Sequence, residues 1–355
     1  MATEIKGSKE RVSAVLRGDF VDRPPVFDML RNDRAIEYYA GERFSRDNAE
    51  QIVYRAIATA LDATKQVIRV PGKPLWEYPD GREVTWERWT HWVTPLTFDS
   101  VDEAAAHLRA VLDHPEDFIG DPVSYVAGQE QDYLDKQARL GEDFALFMDM
   151  RTREGFHDFY ELIGLETFAY LCVDYADLVG AYLDLNVTRA LQRIAHLTIA
   201  DRVPMLFYAV DIAATTGTIF SPKMLRQLLY PRLEAVIEAY QRKGIKVIFH
   251  SDGNLWEVLD DLVALGIDAL HPVEVNASMD LGELRAKYPQ LILLGGIDSS
   301  HLLPYGSPGD VAQAVQDSIR AAAPNYILGS TTELHNAIPL DNIRAMIDAA
   351  RDFNY

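Results

Sequence analysis

Short apolar, β-branched runs alternate along the chain with longer stretches whose apolar positions recur every three or four residues. Runs of the first kind suit strands covered on both faces, and stretches of the second kind suit helices laid over them. Their alternation predicts βα units around a parallel sheet. The strand readings are Pro25–Leu30, Gln66–Val70, Ala145–Met150, Met205–Asp211, Ile245–His250, Ala269–Val273, Leu291–Gly296 and Tyr326–Gly329. Eight such units make an α/β fold of the (β/α)8 TIM-barrel type, read as one domain over residues 1–355. Helical periodicity is clearest over Pro222–Lys243, where Gly244 stops the helix and Pro231 kinks or divides it. A helix over Asn254–Leu265, capped by Asn254 and ended by Gly266, and a last one from Pro339 to about Phe353 follow the same rules.

The rhythm breaks after the second strand. Pro74–Phe98 mixes large and polar residues around Tyr78-Pro79-Asp80-Gly81, which reads as the turn of a β-hairpin insertion. The segment holds Trp76, Trp86, Trp89 and Trp92, leaving Trp256 as the one tryptophan elsewhere. The plainer expectation is a hairpin packing its aromatic face on the barrel. The sharper one is an aromatic wall beside the active site.

Composition narrows the partners. The 355 residues carry 34 Lys and Arg against 54 Asp and Glu, a net charge of −20. Such a surface repels phosphate backbones and anionic lipid, which argues against nucleic acid and membrane partners. The single cysteine, Cys172, allows no internal disulfide and excludes a thiolate-rich zinc site. Residues Met1–Arg11 lack the apolar core of a signal peptide, and no apolar run approaches the roughly 20 residues that span a bilayer. A cytoplasmic protein is expected.

In a barrel of this type the chemistry gathers where the strands end. Those ends read Asp28, Arg69, Asp149, Asp211, His250 with Asp252, Glu274, Asp298, and Glu333 with His335. Each buried unpaired charge would cost roughly several kcal/mol, so these groups should pair, bind metal or hold a ligand. The strongest local signal is Val247-Ile248-Phe249-His250-Ser251-Asp252-Gly253-Asn254, where an apolar strand runs into His, Asp and Gly. Two residues apart, His250 and Asp252 point the same way while the strand persists. They form a metal pair or an oriented general base, or else they satisfy each other and cap a helix. Glu274 could supply a third ligand, and Asp211 ends an apolar strand before the small residues Ala213 and Ala214. Each also has a structural reading, as a carboxylate bonded to nearby backbone N–H groups. Gly295-Gly296-Ile297-Asp298 suggests a close backbone approach or tight barrel packing. His91, His107, His114, His157, His196, His271 and His301 read as ordinary, and neither a Gly-rich phosphate loop nor a Gly-x-Ser-x-Gly elbow is present.

Several further segments stand out in order along the chain. They are Glu10-Arg11 through Gly18 with Asp22-Arg23-Pro24-Pro25-Val26, Ser221-Pro222-Lys223-Met224 and His250-Ser251-Asp252-Gly253-Asn254. Gly266-Ile267-Asp268, Met279-Asp280-Leu281 and Gly295-Gly296-Ile297-Asp298 continue the series in order. Together these segments resemble the uroporphyrinogen decarboxylase superfamily, and the resemblance implies a barrel with its site at the mouth, and two chemistries. One branch decarboxylates the acetate side chains of a porphyrinogen; the other moves methyl groups to or from a corrinoid carried on a separate protein. The decarboxylase branch carries Arg-Gln-Ala-Gly-Arg after its first strand, and the matching stretch here is Arg31-Asn32-Asp33-Arg34. Thiol-activating methyltransferases place a Cys two residues after the His and another near the eighth strand. Here Asp252 and Thr332 stand at those positions.

Without thiolates the site suits an oxygen substrate. The expected function is therefore a methyltransferase that demethylates a small O-methyl substrate and uses cobalamin carried by a partner corrinoid protein. A uroporphyrinogen decarboxylase-like lyase is the alternative, and it would need arginines such as Arg31, Arg34, Arg69 and Arg151 to converge on the mouth. A barrel that only binds a tetrapyrrole or a corrinoid protein is a third reading. His250, Asp252, Asp211 and Glu274 are the catalytic candidates, with His250, Asp252 and Glu274 as ligands to zinc. Asp28, Arg31, Asp149, Asp298, Glu333 and His335 are the substrate-binding candidates.

Overall fold

The computed structural model describes residues 7–45, 47–72, 82–150, 152 and 154–355. Its main sheet has five parallel strands in the spatial order Tyr326–Ser330, Ile292–Ile297, Ala269–Val273, Lys246–His250 and Met205–Ala209. Chain neighbours are therefore sheet neighbours, as βα units with short connections demand. Parallel pairing continues beyond this sheet. Met148 bridges Leu206, Ala63–Lys65 pairs with Ala145–Phe147, Phe27 bridges Ala63, and Val26 bridges Leu328 of the strand Tyr326–Ser330. The succession of pairings thus returns to the strand with which the order began.

Two apolar clusters follow from the alternation of side chains along these strands. Phe27, Ala63, Ala145, Phe147, Met205, Phe207, Ile248, Ala269, Ile292, Leu294 and Ile327 pack on one another inside. The helix Ser8–Arg17 adds Val12, Ala14 and Val15 to this cluster. Alternate residues such as Leu206, Tyr208, Val247 and Phe249 face outward and pack under the helices. Beside this inner cluster Asp62 accepts hydrogen bonds from Ser8 Oγ (2.7 Å), Val26 N–H (2.9 Å) and the Arg23 guanidinium (2.7 and 2.9 Å).

Several expected boundaries move. The second strand lies at Ala63–Lys65, ahead of the expected Gln66–Val70. The apolar residues that suggested the later position, Ile68 and Val70, are buried in a loop against the outer cluster. The helix expected from Asn254 begins at Leu259, because Asn254 Oδ1 accepts Trp256 N–H (3.1 Å) and closes a turn instead. The long helix after Ser221 is divided: a π-helical turn over Leu225–Leu229 lets Pro231 fall in the first turn of Tyr230–Arg242, where its missing N–H leaves no bond unmade.

An antiparallel hairpin pairs Val84–Trp86 with His91–Val93. The expected turn at Tyr78–Gly81, and Trp76, lie outside the described residues. Trp89 is buried and donates its indole N–H to Asp33 Oδ1 (2.8 Å), whereas Trp86 and Trp92 are exposed. Among the described residues no helix is long and apolar enough to cross a membrane.

Candidate functional site

The inner positions of the strands are apolar at one end and polar at the other. Ala63 is followed two residues on by Lys65, Phe147 by Asp149, Ile248 by His250, and Ala269 by His271. The series Met205, Phe207, Ala209 leads to Asp211. A two-residue period puts all these side chains on the same inner side, so the core gives way to a polar floor where the strands end.

Asp211, His250 and Asp252 converge there. Among the described residues they form a group of metal-type donors, with one ligand atom from each lying within 4.8 Å of the others. His250 Nε2 stands 3.6 Å from Asp211 Oδ1, and that oxygen accepts the Asp252 N–H at 3.3 Å. Asp252 Oδ1 is buried with no hydrogen-bond partner. Burial, reinforced by the charges of Asp211 and Glu274, pushes the Asp252 carboxyl up to about 7.

Glu274 is the neighbour of this group, with Oε2 accepting the Gly253 N–H at 2.6 Å. Gly253 has φ +94°, and a Cβ there would lie 2.6 Å from the Ala214 carbonyl oxygen. Only glycine lets the chain turn at this point, so the spacing of Asp252 and Glu274 depends on it. The helix Phe156–Ile163 supplies the other support. His157 Nδ1 accepts the Asp211 N–H (3.0 Å), and Tyr160 donates its hydroxyl to the Asp211 carbonyl (2.6 Å).

A second acid group involves the first and last strands. Asp28 is fully buried and accepts from Met29 N–H, Ser330 N–H and Ser330 Oγ at 2.8–3.0 Å. Burial outweighs those bonds and pushes its carboxyl up to about 7. Arg31 pairs with Glu333. Burial lowers the Arg31 pKa from its usual value, against the pull of Glu333 and Asp28. Lys65 lies 3.7 Å from Asp149 and 4.5 Å from the centre of the Phe207 ring. The charges of both Lys65 and Glu333 are felt at Asp252, so the two acid groups share one field.

Two other expected residues are engaged in holding loops. Asp298 accepts the backbone N–H groups of Ser300, His301 and Leu302 and a bond from Asn276. His335 donates Nε2–H to the Ser299 carbonyl (3.0 Å) and accepts the Ala337 N–H on Nδ1. Arg34 is exposed, Arg69 lies 2.9 Å from His91 Nδ1, and Arg151 is outside the described residues. Sequence reasoning passes over Lys65, His157, Tyr160 and His271. Extending the two-residue alternation finds Lys65 and His271; His157 and Tyr160 come from a helix and have no such signal.

Comparison with known proteins places the chain in a family. The uroporphyrinogen decarboxylase (URO-D) family pattern matches residues 161–353, more than half of the chain and all of its second half's strands. A uroporphyrinogen decarboxylase from Anaeromyxobacter sp. (strain Fw109-5) is 30% identical over 132 residues. That match spans about a third of each protein, 36% of this chain and 36% of the relative. In fold, a methyltransferase from Methanosarcina mazei superposes with a TM-score of 0.68, covering 98% of this chain and 99% of that one at 16% identity. The chain belongs to the uroporphyrinogen decarboxylase family.

Proposed function

We propose that this protein is a cytoplasmic methyltransferase, a single (β/α)8-barrel domain, that demethylates a small O-methyl substrate and passes the methyl group to the corrinoid of a partner protein. The observation that carries this reading is the convergence of Asp211, His250 and Asp252 at the strand ends. One imidazole and two carboxylates suit a divalent metal such as zinc, and the unpartnered Asp252 Oδ1 is an atom such an ion would satisfy. A metal held there would supply Lewis acidity to the ether oxygen.

The chain's own groups do the rest. As the C–O bond breaks, its electron pair stays on oxygen and the methyl group leaves to the reduced corrinoid as acceptor. The oxygen needs neutralising, because an unassisted alkoxide or phenoxide leaves poorly. Asp252, whose carboxyl is pushed up to about 7, holds a proton near neutral pH when no cation neutralises the corner, and lies where that proton can be given up. Asp28, Arg31 and Glu333 form the opposite polar wall and would orient the substrate.

A decarboxylase is the competing reading, favoured by the name of the curated relative. It needs cations to hold a polycarboxylate. Among the described residues the arginine beside the acids is Arg31, already paired with Glu333, while Asp28, Asp149, Asp211, Asp252 and Glu274 crowd the same mouth. Elemental analysis of the purified protein and a His250→Ala variant tests the metal. Stoichiometric zinc that disappears in the variant supports metal-assisted demethylation; no metal in either leaves proton assistance by Asp252.

A further inference from the structure

Lys65 stands on the same polar floor as His250 and takes no part in the demethylation outlined above. It ends the strand Ala63–Lys65 at an inner position, paired in register with Phe147, two residues before Asp149. Its Nζ lies 4.5 Å from the centre of the Phe207 ring, and the His250 ring packs on that same phenyl with centres 5.1 Å apart. Ammonium and imidazole thus share one aromatic neighbour, and a single small molecule can reach both. The Lys65 side chain keeps 14% of its surface exposed, against 3% for Asp149 beside it, so the cation is the member of the pair open to a ligand.

The strand ends that carry this pair are clamped from behind. Gln66 is buried; it donates its N–H to the Phe147 carbonyl (2.7 Å) and accepts the Asp149 N–H on Oε1 (3.1 Å). Its Nε2 donates to Asp132 Oδ2 (2.8 Å) on the helix Pro122–Leu140. Both strand ends are therefore fixed before a ligand arrives, which lowers the ordering cost of binding.

Charge on the floor is uneven. Asp211, Asp252 and Glu274 gather at the His250 end, and Arg31 is bonded to Glu333 at the opposite wall. Lys65 stands 3.7 Å from Asp149, longer than the roughly 2.7–2.9 Å of a charge-assisted N–H···O bond. An ammonium has three donors, so it can offset Asp149 and still donate to a second carboxylate. A ligand with one carboxylate then has a preferred direction: it is repelled at the acidic end and attracted at Lys65. Its uncharged ether oxygen is left to the His250 end.

We infer that Lys65 is a specificity-determining residue that binds the carboxylate of an acidic methyl ether, which makes small methoxy acids the substrate class. The ether half of this statement rests on the demethylation reading; the carboxylate contact at Lys65 does not.

Calorimetric titration of the purified protein compares para-methoxybenzoate with para-methoxybenzyl alcohol, which differ in charge at one end and need neither corrinoid nor turnover to bind. The acid is expected to bind about 10–100-fold tighter than the alcohol, the worth of one charge-assisted hydrogen bond. Lys65→Met should remove that preference and leave the affinity for the alcohol unchanged, while Lys65→Arg should keep most of it. Because Lys65→Met strands the buried Asp149 carboxylate, the double variant Lys65→Met/Asp149→Asn is titrated beside it, and the same loss is expected. Equal affinity of the wild type for acid and alcohol overturns the inference, as does a preference for the acid that survives in either folded Met variant. Failure of both ligands to bind the wild type, or equal loss of both in the folded Met variants, overturns it too. If charge-dependent binding holds but no methyl group is transferred, the demethylation reading falls and Lys65 remains a carboxylate site.

Discussion

Replacing Asp252 with asparagine should stabilise the metal-free protein at high pH and leave it nearly unchanged at low pH. The carboxyl is buried between Asp211 and Glu274, and its pKa stands at about 7 against an ordinary value of 3.8. A carboxyl raised in the folded state binds its proton more tightly there than in the unfolded chain. Its stabilising contribution is complete below about pH 4 and is lost as pH rises through about 7. At about 1.4 kcal/mol per pKa unit, a shift of roughly three units caps the loss at about 4 kcal/mol. Between about pH 5.5 and pH 8.5 the wild type should lose about 2 kcal/mol through this group. The asparagine side chain would keep the shape without the charge. Urea unfolding in EDTA at those two pH values measures the difference. The same pH dependence in variant and wild type, or a greater loss of stability by the variant at the higher pH, would show that the Asp252 carboxyl is not raised by its burial.

Asp62→Ala should destabilise the fold by about 3–5 kcal/mol, measured by urea or thermal unfolding, because it strands the Arg23 guanidinium beside the core. Although burial alone pushes the Asp62 carboxyl up, Arg23 pulls it below the ordinary value. Its contribution is therefore present above about pH 4 and lost as pH falls further, the reverse of Asp252. Gly253→Ala would drive a Cβ to within 2.7 Å of the Ala213–Ala214 backbone at φ +94°, shifting Asp252 away from Asp211. Zinc affinity should fall at least about 10-fold in competition titration; full retention would mean that the Gly253 turn does not set the site. His157→Leu removes the acceptor of the Asp211 N–H, and the same titration should show a weaker loss, with the tyrosine bond to the Asp211 carbonyl still in place.

Much of this architecture can be read from local pattern. The runs ending at His250 and Val273 are apolar on both faces and bounded by Gly244 and Gly266, so their strands fall within a residue of expectation. The second strand falls earlier than expected because Ala63-Thr64-Lys65 carries a weak apolar signal, while the loop residues Ile68 and Val70 are buried without belonging to the sheet. At the site, the His250-x-Asp252 spacing is legible because both residues continue one strand direction. What brings Asp211 to them is pairing between Met205–Ala209 and Lys246–His250, a long-range contact with no local signature. Asp298 reads as chemical because it follows a glycine pair, yet its carboxylate is occupied by three backbone N–H groups of the next turn. His157 and Tyr160 support Asp211 from a helix, 54 and 51 residues away in the chain, beyond the reach of any spacing argument.

The proposed reaction is methyl transfer from oxygen at the corner formed by Asp211, His250 and Asp252. Its most direct test is to incubate the metal-loaded protein with free cob(I)alamin and methoxybenzoates, and to follow methylcobalamin formation by absorbance. Methylcobalamin is expected, with release of the matching phenol, and both are abolished in His250→Ala. No methyl transfer, together with carbon dioxide release from a porphyrinogen that survives His250→Ala, would contradict it.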